Sequence, residues 1–96
     1  MPDFEALIYR FERTISILGR SQSTFRNYAH HVAAISLFYG KIPTLLDQEQ
    51  VHEYLFYLQK QSKTPSQTYF KHTVYGLRFL LKSEGLPYEY LHLPQI

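Results

Sequence analysis

Four stretches of this sequence repeat apolar residues at three- and four-residue steps, each closed by a glycine or a proline-containing turn, and that pattern confines the chain to a helical bundle. In the first, Phe4, Leu7, Ile8, Phe11, Ile15 and Leu18 predict a helix over Asp3–Leu18, opened by Pro2 and Asp3 and ended by Gly19. The second opens on Ser21-Gln22-Ser23-Thr24, where a hydroxyl can accept from an orphan amide. It runs through Phe25, Tyr28, Val32, Ile35 and Tyr39 to Gly40. Pro43 makes Lys41–Thr44 a connector, and Asp47 then caps a third helix carrying Val51, Tyr54, Leu55 and Leu58, which fades near Gln61. After a polar turn at Ser62–Ser66, a fourth helix from Gln67 directs Phe70, Val74, Leu77 and Leu81 inward until Gly85, just before Pro87. Tyr9, Tyr28, Tyr39, Tyr54 and Tyr57 are expected mostly in the core or half-buried. Tyr88–Ile96 reads as a locally packed connector and the start of a linker.

The expectation is an all-α fold with one core, since 96 residues leave no room for two lobes around a cleft. A 45% apolar content excludes disorder as a description of the whole chain. The absence of cysteine removes disulfides, thiol nucleophiles and cysteine-based zinc sites, which fits a reducing cytoplasm. Apolar runs are only a few residues long and Met1-Pro2-Asp3 is unlike a signal peptide, so the chain is expected to be cytoplasmic and soluble, with no membrane partner.

The net charge of +2 conceals a division. Residues 10–46 carry +4 and residues 60–82 carry +5, the latter as Lys60, Lys63, Lys71, Arg78 and Lys82 with no acid. Between these blocks the third helix holds Asp47, Glu49 and Glu53 with no base before Lys60. At about 100° per residue, Lys71, Tyr75, Arg78 and Lys82 fall within roughly 60° of one another, opposite the apolar side of the fourth helix. Such a basic stripe can neutralise phosphates or reach base acceptors in a DNA groove. Solvent-facing helix positions are commonly charged in any case; the stripe gains weight from a second basic, hydroxyl-rich helix start at Arg20-Ser21-Gln22-Ser23-Thr24-Phe25-Arg26-Asn27. Ser66, Gln67 and Thr68 repeat that arrangement ahead of the fourth helix.

No catalytic or cofactor motif accompanies these features. His30 and His31 are adjacent and diverge around a helix, while His52, His72 and His92 have no ligand partner in sequence, so no metal and no cofactor are expected. Glycine-rich phosphate loops and nucleophile elbows are missing, and Asp47, Glu49 and Glu53 suit the N-terminal dipole of the third helix.

The order Ser21-x-x-Thr24-x-x-x-Tyr28-x-x-x-Val32-x-x-Ile35, Val51-x-x-Tyr54-Leu55-x-x-Leu58, Val74-Tyr75-Gly76-Leu77-Arg78-Phe79-Leu80, then Glu84-Gly85-Leu86 with Leu93-Pro94, resembles the N-terminal core-binding, SAM-like domain of the phage integrase or tyrosine recombinase family. The resemblance spans nearly the whole chain. It implies a four- to five-helix orthogonal bundle over residues 1–96, with 86–96 beginning a linker to a catalytic domain absent from these residues. The family's strand-cleaving residues belong to that second domain, so this domain is expected to have no activity of its own. The resemblance further implies that the second and fourth helices approach double-stranded DNA, and that other recombinase protomers are partners in a synaptic assembly. Many relatives have Thr near the position of Tyr69.

The candidate DNA-binding residues are Arg20, Ser23, Thr24, Arg26, Asn27, Ser66, Thr68, Lys71, His72, Tyr75, Arg78 and Lys82. Lys71 and Lys82 would meet phosphates, Thr24 and Asn27 would position the backbone, and His72 and Tyr75 would reach into the groove. Arg78 has a second possible role, pairing with a carboxylate such as Glu53. The alternative function is a helical protein–protein interaction module, in which Phe56, Tyr57 and Phe79 form the contact and the basic stripe meets an acidic partner.

Overall fold

Side-chain caps open the second and third helices, and glycines in the left-handed conformation follow the first, second and fourth. A computed structural model describes residues 2–61 and 67–91, the side chains of 67 and 68 excepted. Among these residues the chain forms α1 (Pro2–Ile17), α2 (Gln22–Tyr39), a 3-10 turn at Pro43–Leu45, α3 (Gln48–Gln61) and α4 (Gln67–Ser83), with no strand. Ser21 caps α2 by accepting from the Thr24 amide at 3.2 Å. At α3, Asp47 Oδ1 accepts from the Gln50 amide at 2.8 Å and Gln50 Oε1 accepts from the Asp47 amide at 3.0 Å, a reciprocal capping box. Gly40 ends α2 at φ +66°, a left-handed conformation that costs a glycine little. The expected turn at Ser62–Ser66 and the Leu93-Pro94 step lie outside the described residues.

Helix α4 belongs to two apolar clusters and so organises the bundle. Its Leu80 joins Leu7, Phe11 and Ile15 of α1 and Val32 of α2, while its Val74, Leu77 and Leu81 join Ile35 of α2 and Val51, Tyr54 and Leu55 of α3. The most extensive helix–helix packing is between α2 and α4. Gly76 marks their close approach: a Cβ there would meet the Cα and Cβ of Tyr28 at 3.5 Å, ordinary van der Waals contact.

The segment after α4 packs against the bundle as far as Leu91. Gly85, at φ +74°, reverses the chain, and the Leu86 amide donates to the Leu81 carbonyl at 2.9 Å. Leu86, Tyr88 and Tyr90 then lie against the α3/α4 cluster, and Leu91 is only 1% exposed within it. A further anchor is the ion pair from Arg10 of α1 to Glu84, at 2.9 Å.

Periodicity misplaces several side chains. Leu18, expected on the inner face, falls beyond the last turn of α1 and is exposed. Tyr9 and Tyr57 are exposed, whereas Tyr54 is buried and Tyr28 and Tyr39 are half-buried. Phe79, expected as an exposed contact aromatic, packs edge-on to Phe11 with ring centroids 5.8 Å apart and lies 6.0 Å from the ring of Tyr28.

Candidate nucleic-acid interface

Where the first turns of α2 meet the middle of α4, the surface opens into a groove of about 370 Å³. Ser23, Thr24, Asn27 and Tyr28 line it from α2, and His72 and Tyr75 line it from α4. Five of these six are expected from the sequence. Tyr28 reads as core by its spacing, yet it both packs against Phe79 and reaches the groove. Its place one residue after Asn27 and four after Thr24 is the signal that points to this second role. The lining offers hydroxyls, an amide and an imidazole, with no carboxylate among them.

The basic candidates fall into two groups. Arg26 and Lys71 are exposed and adjacent in sequence to the lining residues Asn27 and His72. Arg20 sets its guanidinium over the ring of Phe79, Cζ 5.7 Å from the centroid, which ties the loop before α2 to α4. Arg78 and Lys82, a turn apart on α4, both lie against Tyr88, at 5.8 and 5.7 Å from its ring centroid. Arg78 therefore does not pair with Glu53; among the described residues the ion pair is Arg10–Glu84. Ser66 and the side chain of Thr68 lie outside the described residues.

Behind His72 lies a buried polar contact that periodicity does not reveal. His31 of α2 is 3% exposed, and its Nδ1 stands 3.0 Å from the hydroxyl of Thr73, which is itself fully buried. Thr73 donates its proton to the Tyr69 carbonyl at 3.0 Å, so its oxygen accepts from His31 and the proton sits on Nδ1. The His31 ring lies 4.5 Å from that of Tyr69, 5.3 Å from His30 and 6.0 Å from His72. Burial, and secondarily the neighbouring His30 and His72, push the His31 pKa down from 6.5 to about 4. Among the described residues no group of three or more His, Asp or Glu side chains is arranged to hold a metal ion.

This contact predicts acid sensitivity. Folded His31 stays neutral while the unfolded chain takes up a proton near pH 6.5, so the contribution is complete above that pH and is lost as pH falls from about 6.5 towards 4. The loss should be on the order of 2 kcal/mol. Urea unfolding at pH 7.0 and 4.5 measures it, and His31→Asn, whose amide can replace Nδ1–H, should flatten the profile. An equal pH dependence in both proteins would refute the assignment.

Spacing, charge and groove converge on one kind of domain, and comparison with known families decides which. The sequence profile of the phage integrase N-terminal SAM-like domain matches residues 7–83. The chain belongs to that family. Searches of curated proteins and of solved structures each find no match. The matched region of this integrase N-terminal domain runs from the middle of α1 to the end of α4 and includes the whole groove. Among its described residues, no helix is long and apolar enough to cross a membrane.

Proposed function

We propose that this integrase-family domain binds duplex DNA through the start of α2 and the exposed side of α4, mainly by phosphate contacts with a few contacts to base edges, and performs no catalysis itself. The observation that carries this reading is the groove between the two helices, whose polar lining holds no carboxylate and whose residues Asn27 and His72 follow the exposed Arg26 and Lys71 in the chain. The acidic helix packs on another side of α4, through Val74, Leu77 and Leu81, so Glu49 and Glu53 do not line the groove. Phosphate contacts fix register and orientation, while Asn27, His72 and Tyr75 supply groups able to read bases. Strand cleavage belongs to a separate catalytic domain of the parent recombinase.

An aromatic face on α2 and α3 supports the second partner expected of the family, other recombinase protomers. Phe38 and Tyr57 meet there as tilted rings with centroids 4.9 Å apart while remaining 48% and 41% exposed.

Fluorescence anisotropy with a random-sequence duplex tests the DNA reading. If roughly four phosphates are neutralised, affinity should fall on the order of 100-fold between 50 and 200 mM salt. No binding, or an affinity indifferent to salt, would instead favour the protein-interaction module.

A further inference from the structure

Tyr88 lies outside α4 and outside the groove, yet the two C-terminal cations of the basic stripe meet on it. Arg78 and Lys82 are four residues apart on α4, a spacing at which like charges repel. Among the described residues neither forms an ion pair. Instead the Arg78 guanidinium carbon and the Lys82 ammonium lie 5.8 and 5.7 Å from the centroid of the same phenol ring. That ring is held by the turn after Gly85, which packs Leu86, Tyr88, Tyr90 and Leu91 against the α3/α4 cluster.

A neutral ring and a carboxylate order a cation with different consequences. A carboxylate cancels the charge and must be displaced before a phosphate can bind. The π face attracts through its quadrupole and leaves the full positive charge and the N–H donors directed elsewhere. Restricting two long side chains before binding also reduces the entropy lost when they meet an anion.

Resting on the proposed DNA-binding reading, we infer that Tyr88 is a positioning residue for that face: its ring holds Arg78 and Lys82 as a preorganised pair of cations for backbone phosphate. The segment following α4 thus contributes to binding without touching DNA.

Two substitutions separate the ring's electronic role from its packing. Tyr88→Leu keeps apolar bulk but removes the π face, whereas Tyr88→Phe keeps the face and removes the hydroxyl. Thermal unfolding establishes that both variants are folded. Tyr88→Leu should weaken random-duplex affinity about threefold to tenfold at low salt, and Tyr88→Phe should match wild type. In NMR spectra, the ring-current shifts of the Arg78 Hδ and Lys82 Hε protons should persist in Tyr88→Phe and vanish in Tyr88→Leu. Wild-type affinity in Tyr88→Leu, equal weakening in both variants, or tighter binding by Tyr88→Leu would overturn the positioning role while leaving the DNA reading intact. Failure of the wild-type domain to bind any duplex would overturn both.

Discussion

Replacing Leu91 by alanine should cost about 3 kcal/mol of stability, a large share of the roughly 5–15 kcal/mol typical of a domain. Leu91 is 1% exposed and packs with Val51, Leu55, Val74 and Leu81, residues of two helices with little room to collapse into the vacated volume. A loss of that size lowers the melting temperature of a domain this small by roughly 12–24 °C, which calorimetry or circular dichroism resolves easily. The result bears on function as well as folding, because the same turn carries Tyr88 to Arg78 and Lys82. A loss below about 1 kcal/mol would mean that the segment after Gly85 is an appendage to the bundle.

Charge reversal at the groove should have the largest effect on binding. Arg26 and Lys71 are exposed, so replacing either by glutamate should change stability by no more than about 0.5 kcal/mol. Removing one cation–phosphate pairing should reduce duplex affinity roughly tenfold near 0.1 M salt and reduce the magnitude of the salt slope by about 0.9. The double variant Arg26→Glu/Lys71→Glu should therefore bind about 100-fold more weakly. Glu49→Gln and Glu53→Gln on the acidic helix, a smaller change of opposite sign, probe the other face and should leave both affinity and slope nearly unchanged. Anisotropy titrations across a salt series measure every variant. Equal sensitivity to substitutions on α2/α4 and on α3 would mean that net charge, and not the groove, governs binding.

The helices were legible because their ends are written in local chemistry. Ser21, Asp47, Gly40 and Gly85 each act on backbone within five residues of themselves, which is the range at which sequence patterns are informative. Their caps stand where the spacing placed them. The inner faces of α2, α3 and α4 were legible for the same reason, whereas Leu18 marks where a three- and four-residue rhythm outlasts the surface available to cover it. Periodicity says which side of a helix is apolar but not how far a neighbour extends.

Long-range partners were not legible. The pairing of His31 with Thr73 spans 42 positions, and each residue taken alone reads as an ordinary polar helical residue. Arg78 could be narrowed to a packed or phosphate-facing role, but the choice of Tyr88 over Glu53 depends on a reversal set by Gly85 and by the burial of Leu91. Tyr28 was hidden by its double service, packing on Phe79 while also lining the groove. Ser23, Thr24, Asn27, His72 and Tyr75 share one groove because the fold brings together the two elements that the charge blocks and helix starts single out.

The central claim is that the start of α2 and the exposed side of α4 form one surface for duplex DNA. It is tested most directly by titrating the isotopically labelled domain with a random-sequence duplex at two salt concentrations and mapping the amide shifts. The account predicts shifts concentrated at residues 20–27 and 71–82, large at low salt and much smaller at high salt. Shifts concentrated on α3, between Gln48 and Gln61, or a pattern indifferent to salt, would contradict it.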